Sequence, residues 1–245
     1  MTEQAPIEGI SPETLAKLKR VSTASVATAL YKRGLRNQFI QGVVPVKAKD
    51  EVMVGPAFTL RYIPAREDRN PITIFRDPNH PQRVAMETCP PGHVLVMDAR
   101  KDARAASAGS ILITRLALRG AAGVVSDGGF RDAAGIGELD MPAYHARPSA
   151  PTNLTLHEAL DINVPISCGD ALVFPGDILL GDKDGVMVIP AHLADEIAEE
   201  CTGMESFEDF VLEEVKGGAA IIGLYPCTKE ENQAKYDAWR EKTGR

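Results

Sequence analysis

The sequence has few aromatic residues, few cysteines and no long hydrophobic run. Of its 245 residues, 5% are aromatic and four are cysteine, and no two cysteines have the CxxC spacing of zinc or redox sites. This pattern disfavours a disulfide framework and a cysteine-based metal site. No apolar segment approaches the roughly 20 residues that cross a bilayer. We therefore predict no membrane partner.

An excess of positive charge is also missing. Lysine and arginine total 27 against 34 aspartate and glutamate residues, which gives a formal net charge of −7. Since nucleic-acid binding depends on clustered lysine and arginine, we predict no nucleic-acid partner. The N-terminus lacks the basic and apolar segments of a secretory signal, which predicts a cytoplasmic protein.

Helical and β-type patterns alternate along the chain and predict an α/β fold with strands in layers and helices outside them. Helix signals within 11–34 predict an N-terminal helical arm at 1–35, and residues 191–245 are predicted as C-terminal helices over 191–201, 206–216 and 229–242. A further helix is predicted over 110–119, and a long loop over 64–81. Strands are predicted over 51–63, 93–98, 123–126, 143–146, 164–168, 177–180 and 185–189.

The most informative segment is 108–132, which predicts a helix followed by a strand. A ten-residue helix and a five-residue strand have similar lengths, roughly 15 and 17 Å, so the two ends of this unit are expected to meet. The meeting point joins the backbone amides around Gly109, Ser110 and Ile111, at a helix N-terminus, to Arg131 and Asp132 after the strand. Free amides at a helix start favour a carboxylate or phosphate.

The chemistry of these residues suits a small 2-oxo acid. Arg131 offers a bidentate anion clamp, and Asp132 is a hard oxygen ligand for Mg²⁺ or Mn²⁺. Such a metal acts as a Lewis acid when a neighbouring carbon–carbon bond breaks. An Arg-Asp pair in a surface loop is also commonly structural, and the glycines before it are commonly only a turn. The residues alone leave both interpretations open.

Other motifs contribute less. A phosphate-binding loop is absent, Gly135 and Gly137 form only a fragment of a dinucleotide fingerprint, and the five histidines show no HExxH pattern. Ser107 and Ser110 lack the context of a nucleophile elbow. Three acids near predicted strand ends are further candidates for a hydrated metal shell: Glu87, Asp98 and Asp102.

Three motifs carry a resemblance to a known family. They are A-x-x-G-x-x-G-V-V-x-D-G-G-F-R-D at 117–132, N-V-P-I at 163–166 and F-P-G-D-I-x-x-G-D-x-D-G-V-x-V-I-P at 174–190. Over 21–225 the sequence resembles the family that joins 4-hydroxy-4-methyl-2-oxoglutarate/4-carboxy-4-hydroxy-2-oxoadipate aldolases with the RraA-like regulators of ribonuclease E activity. The resemblance implies one domain over 1–245 with a layered β/β/α swivelling-domain fold, assembled as a homotrimer or homohexamer with sites between subunits.

The resemblance also implies a set of site residues. Arg131 would hold the substrate, Asp132 would anchor Mg²⁺ or Mn²⁺, and the backbone of Gly109, Ser110, Ile111 and Leu112 would bind the pyruvyl carboxylate. The implied function is a class II lyase that releases pyruvate from a hydroxylated 2-oxo acid, with oxaloacetate decarboxylation as a side activity.

Ser110 is a departure from the family pattern. Family aldolases carry an acid at this position, where it helps to hold metal-bound water. The alternative function is therefore a non-catalytic regulator that contacts an RNA-processing enzyme.

Overall fold

The computed structural model of the chain describes residues 9–244. Residues 1–8, where the predicted arm begins and on which the cytoplasmic prediction depends, and residue 245 lie outside the described residues. The strands are β1 (Val44–Pro45), β2 (Met53–Pro64), β3 (Val94–Asp98), β4 (Ala106–Ala108), β5 (Gly123–Phe130), β6 (Ala143–Pro148), β7 (His157–Ile162), β8 (Ile166–Cys168), β9 (Ala171–Val173), β10 (Ile178–Gly181) and β11 (Val186–Ile189).

Seven α-helices accompany these strands within residues 9–244. They are α1 (Pro12–Leu18), α2 (Thr23–Lys32), α3 (Pro81–Thr88), α4 (Ser110–Leu118), α5 (Ala133–Gly137), α6 (Ala194–Lys216) and α7 (Glu230–Thr243). Short 3₁₀ helices lie at Ile72–Arg76, Asn153–Thr155 and Ala191–Leu193. No helix in the described range combines the length and apolar character that a membrane crossing requires.

One large sheet forms the centre of the molecule, with the strand order β1-β6-β5-β3-β2-β10-β11. The pairs β2–β3, β3–β5, β4–β5 and β5–β6 are parallel, so the carboxyl ends of β2, β3 and β5 point the same way. The long strand β2 pairs with β10 through its first half and with β7 through its second half. Strands β8 and β9 form a separate antiparallel pair.

Strand β3 illustrates how the layers form. Its side chains alternate between two faces, and both faces are buried, which accounts for the nearly continuous apolar run of the sequence. Leu95 and Met97 pack against α3 and α4, whereas Val94 and Val96 pack toward β8, β9 and the β10–β11 hairpin. The result is a helix layer, a sheet layer and a second β layer, as the layered β/β/α prediction expects.

The two N-terminal helices begin within the predicted arm, each with a serine cap. The Ser11 hydroxyl accepts a hydrogen bond from the Thr14 amide at 3.0 Å, and the Ser22 hydroxyl accepts one from the Ser25 amide at 3.1 Å. Both helices pack against α6, and α2 also packs against β11. This arrangement covers the face of the hairpin that lies away from the second β layer.

The prediction of two separate helices near the C-terminus is wrong. The separate helices expected over 191–201 and 206–216 form the single helix α6, because one apolar stripe that includes Ala198 and Cys201 stays packed against α1 and α2. A glycine in a helix costs only about 1 kcal/mol, which this packing outweighs at Gly203. The loop predicted over 64–81 does connect β2 to α3, and it contains one short 3₁₀ helix.

Candidate functional site

The helix and strand of segment 108–132 return to the same place. Strand β4 leads into α4 at Gly109, and β4 lies parallel to the end of β5. The amide of Arg131 donates a hydrogen bond to the carbonyl oxygen of Ala108 at 2.9 Å. The prediction that these two ends meet is therefore confirmed by the geometry.

The glycine turn expected within this segment is wrong. Strand β5 continues through Gly128 and Gly129 to Phe130. Neither glycine has a positive φ, and both are required by close packing. A Cβ atom at Gly128 would lie 2.6 Å from Cβ of Ala99, and one at Gly129 would lie 2.5 Å from Cβ of Ser149. The two glycines thus let the strand run to the residue before Arg131.

Arg131 and Asp132 lie exposed directly after β5. Asp132 has a left-handed backbone conformation, with φ of 57°, and its side chain does not cap the following helix α5. Its Oδ2 atom accepts a hydrogen bond from the Ser110 hydroxyl at 3.2 Å. Among residues 9–244 the Arg131 guanidinium has no hydrogen-bond or ion-pair partner, so it is available to a ligand.

The start of α4 supplies backbone donors beside this pair. The first amides of a helix have no partner within the helix, and no side chain caps this one at Gly109. Ile111 is 84% exposed at the same end. Leu112 was also predicted as a backbone donor, but its amide donates to the carbonyl oxygen of Gly109 at 3.1 Å, so within the described range the unpaired amides are those of Ser110 and Ile111. A bound carboxylate would find unpaired amides and the positive end of the helix dipole here.

A cavity of about 370 Å³ joins these groups. All six predicted site residues line it, and this is a size typical of small-ligand sites. The other lining residues come from the segment before α3, from α3 and β4, and from the turn before β7: Phe75, Gln82, Arg83, Ala106, Ala108, Thr152 and Asn153.

Arg83 and its neighbours were not identified by sequence reasoning. The Arg83 guanidinium carbon lies 4.3 Å above the ring of Phe75, and its Nη1 atom donates a hydrogen bond to Gln82 Oε1 at 3.3 Å. Burial lowers the pKa of Arg83. A signal for α3 was available, because Pro81 is suited to a first helical position and Val84, Ala85 and Thr88 have helical spacing.

A buried carboxylate organises the turns behind the cavity. Asp127 in β5 is 2% exposed, and it accepts hydrogen bonds from the amides of Ala99, Lys101 and Gly169 at 2.6, 3.1 and 3.1 Å. Burial raises the pKa of Asp127 to about 6, against the lowering effect of these amides. Asp127 does not line the cavity, and its contacts are those of a structural residue.

The other acids considered for a metal shell are engaged elsewhere. Glu87 forms an ion pair with Arg115 at 2.9 Å and Asp102 forms one with Arg104 at 2.7 Å, while Asp98 accepts the Arg100 amide at 2.9 Å. None of the three lines the cavity. Within residues 9–244, no group of three or more His, Cys, Asp or Glu side chains could hold a metal ion.

The oxygen donors at the site nevertheless fit a hydrated hard cation. Mg²⁺ commonly keeps several waters and is held by only one or two carboxylates. Here Asp132 supplies one carboxylate, and Ser110 supplies a neutral hydroxyl oxygen 3.2 Å from Asp132 Oδ2. Both residues line the cavity. The pair fits a cation that keeps most of its water shell.

A larger cavity, of about 440 Å³, lies at the other end of α4. Its walls are largely apolar and include Ala117, Leu118, Val52 and Met141. It contains none of the predicted site residues and no helix N-terminus, so the smaller cavity is the candidate site.

Comparisons with known proteins identify the family of the chain. A family model described as RraA-like, Aldolase/RraA, matches residues 23–188. The chain belongs to the RraA-like family. A Halalkalibacterium halodurans protein, named provisionally as a 4-hydroxy-4-methyl-2-oxoglutarate aldolase, is 31% identical over 186 residues, which cover 76% of this chain and 80% of that protein.

Two solved structures confirm the layered α/β fold. Streptomyces coelicolor RraAS2, described as an unusual member of the RNase ES inhibitor RraA protein family, is 30% identical and superimposes with a TM-score of 0.73, covering 84% of this chain and 98% of its own. An uncharacterized protein from Pseudomonas syringae pv. tomato gives the same TM-score at 22% identity, over 91% of this chain and 100% of its own, and supports the fold alone.

Proposed function

We propose that this RraA-like protein is a lyase that cleaves a hydroxylated 2-oxo acid, such as a 4-hydroxy-4-methyl-2-oxoglutarate-like or sugar-derived acid, and releases pyruvate with Mg²⁺ or Mn²⁺. One observation carries the proposal. Arg131, which has no partner among the described residues, lies in one cavity with the Asp132 carboxylate and the uncapped start of α4. The relative from Halalkalibacterium halodurans supports the same class of activity.

The substrate carboxylate is bound by two kinds of donor. The amides of Ser110 and Ile111 at the start of α4 point to its oxygens, and Arg131 contributes a charged, bidentate hydrogen bond. These contacts fix the 2-oxo group beside Asp132. Holding the reacting bond in one orientation removes much of the entropic cost of the reaction.

Asp132 and Ser110 would hold the cation. Asp132 supplies the negative charge, and Ser110 orients that carboxylate through its 3.2 Å hydrogen bond and offers a second oxygen. A bound divalent cation supplies Lewis-acid stabilisation of the charge that develops on the 2-oxo oxygen. Because oxaloacetate decarboxylation develops charge at the same position, the site is expected to catalyse it as a side activity.

Pyruvate release tests this function. The full chain is incubated with 4-hydroxy-4-methyl-2-oxoglutarate or oxaloacetate and with Mg²⁺, Mn²⁺ or EDTA. Release of pyruvate in the presence of metal, and its loss with EDTA or in Arg131→Gln, would support the proposal. Activity that survives both EDTA and this substitution would overturn it.

The exposed face of α4 favours assembly of several subunits. Ile111 and Leu118 are 84% and 78% exposed, and they lie two turns apart on one face of the helix. Large apolar side chains at such positions are typical of protein interfaces. We propose a homotrimer or homohexamer, which light scattering of the full chain would measure.

A regulator of an RNA-processing enzyme is the second candidate function. It is favoured by the likeness to RraAS2 and by the serine at position 110, where the aldolases carry an acid. If the chain retains a ribonuclease in a binding assay and slows its RNA cleavage, and no 2-oxo acid is turned over with any divalent metal, this function replaces the first.

A further inference from the structure

The cavity contains a second guanidinium group that the proposed chemistry does not use. Arg83 is half-buried, and no acidic side chain in the described part of the chain forms an ion pair with it. It lines the same cavity as Arg131 and Asp132, but it comes from a different segment, the first turn of α3. An arginine held at a ligand cavity without an anionic partner is available to bind an anion.

Neighbouring side chains hold this guanidinium in place. Its flat face lies 4.3 Å above the Phe75 ring, and its Nη1 atom donates to Gln82 Oε1 at 3.3 Å. Gln82 is itself buried, and its Nε2 atom donates to the Ser107 carbonyl oxygen at 2.6 Å and to the Tyr62 hydroxyl at 3.2 Å, which fixes its side chain. Little side-chain entropy is then lost when Arg83 binds a ligand.

The charges that line the cavity do not balance. Arg83 and Arg131 contribute two positive charges and Asp132 contributes one negative charge, which leaves one positive charge in excess even before a divalent cation binds. A ligand with one carboxylate, held by Arg131 and α4, leaves Arg83 partly desolvated and unpaired. Leaving a buried charged group unpaired is costly, so such a site discriminates against ligands that cannot satisfy it.

We propose that Arg83 is a specificity-determining residue that binds an anionic group at the far end of the substrate, so that the site prefers 2-oxo acids with a second carboxylate over those with a neutral end. The proposal rests on the proposed function for the direction of binding, with the 2-oxo end at Arg131. Phe75 and Gln82 are positioning residues for this contact.

A pair of substrates with chains of equal length tests the preference. Both 4-hydroxy-2-oxoglutarate and 4-hydroxy-2-oxopentanoate would release pyruvate, but only the first has a carboxylate at its far end. The full chain with Mn²⁺ is expected to favour the dicarboxylate in kcat/KM. In Arg83→Gln the ratio of the two kcat/KM values should fall at least tenfold, which corresponds to about 1.4 kcal/mol.

Arg76→Gln is the matched control. Arg76 lies in the 3₁₀ helix beside Phe75, is exposed and does not line the cavity, so removing its charge should leave the ratio at the wild-type value. Arg83→Lys keeps the positive charge but cannot form the bidentate hydrogen bonds of a guanidinium. It should therefore retain part of the preference for the dicarboxylate. A ratio that stays the same in Arg83→Gln, or falls equally in Arg76→Gln, would overturn the proposal.

A binding measurement separates this proposal from the proposed function. Calorimetry with 2-oxoglutarate and 2-oxopentanoate, which lack the 4-hydroxyl group, needs no turnover. Arg83→Gln should weaken 2-oxoglutarate binding at least tenfold relative to 2-oxopentanoate binding. If this loss occurs in a protein that releases no pyruvate, the lyase function fails while the role of Arg83 stands. Equal effects on both ligands would contradict that role even in an active lyase.

Discussion

The Ser110 hydroxyl donates a hydrogen bond to Oδ2 of Asp132 across 3.2 Å. This contact joins the first residue of α4 to the aspartate of the Arg-Asp pair that follows β5. A second carboxylate at position 110 would instead place two negative charges together, and like charges at this separation disfavour ionisation of both groups. Ser110 instead places a neutral hydroxyl oxygen beside Asp132, so a cation bound by this pair would have one carboxylate ligand rather than two.

Replacing Ser110 with aspartate should increase the affinity for divalent metal. In Ser110→Asp the cation would have two carboxylate ligands, and we expect Mn²⁺ to bind at least tenfold more tightly, which is about 1.4 kcal/mol. Titration calorimetry or the paramagnetic signal of free Mn²⁺ measures this affinity. Ser110→Ala, the control, should bind Mn²⁺ no better than the wild type. Equal affinities in Ser110→Asp and the wild type would exclude position 110 from the metal shell.

Replacing Asp132 with asparagine should abolish activity but preserve stability. Asparagine tolerates the left-handed conformation of this position, and the exposed Asp132 side chain neither caps α5 nor forms an ion pair within residues 9–244. We expect pyruvate release to fall at least a hundredfold, while the free energy of unfolding changes by less than about 0.5 kcal/mol. Both quantities are measured on the same preparation. A large loss of stability would indicate a structural role for Asp132.

Much of the fold could be predicted because local patterns and tertiary packing agree. In β3 the apolar run has both faces buried, and at Ser11 and Ser22 the cap residues begin the predicted helices. The patterns failed where packing decided the outcome. Two separate helices were predicted over 191–201 and 206–216, but packing against α1 and α2 keeps α6 continuous through Gly203.

Only part of the candidate site could be predicted from the sequence. Arg131, Asp132 and the start of α4 belong to one short segment of the sequence, so the lengths of its helix and strand were enough to bring them together. Arg83 reaches the same cavity from a separate segment, 48 residues before Arg131. Its position depends on how α3 packs against β7 and α4, and no local pattern contains this information.

Gly128 and Gly129 of β5 should resist substitution because of packing. In Gly129→Ala the new Cβ atom would lie 2.5 Å from Cβ of Ser149, and we expect a loss of about 1–3 kcal/mol in the free energy of unfolding. Gly203→Ala is the matched control: nothing lies within 4 Å of its Cβ position in the middle of α6, so it should stabilise by up to about 1 kcal/mol. Urea unfolding of both variants tests this; a neutral Gly129→Ala would contradict close packing between the end of β5 and Ser149.

Asp127 is expected to make stability depend on pH in an unusual direction. Burial raises the pKa of Asp127 to about 6 in the folded protein, above the value near 3.9 of an unfolded aspartate. The folded state then binds more protons than the unfolded state between these two values. The contribution of Asp127 to stability is therefore complete below about pH 4 and is lost as the pH rises to about 6.

Buried histidines act in the opposite direction over the same range. Burial lowers the pKa of His145 to about 4, and it also lowers the pKa of His80 and of His157. Their contribution to stability falls as the pH decreases below about 6.5. The pH dependence of the free energy of unfolding in the wild type is the sum of these effects. The contribution of Asp127 must therefore be isolated by comparison with a variant.

Asp127→Asn provides that comparison. Asparagine offers one carbonyl oxygen to three backbone amides, so we expect it to destabilise the fold by about 1–3 kcal/mol. The difference in the free energy of unfolding between the wild type and Asp127→Asn should shrink as the pH rises from about 4 to 6, because only the wild type loses the Asp127 proton. Urea unfolding at a series of pH values measures this difference. Parallel curves for the two proteins would mean that the three amides, rather than burial, determine the ionisation of Asp127.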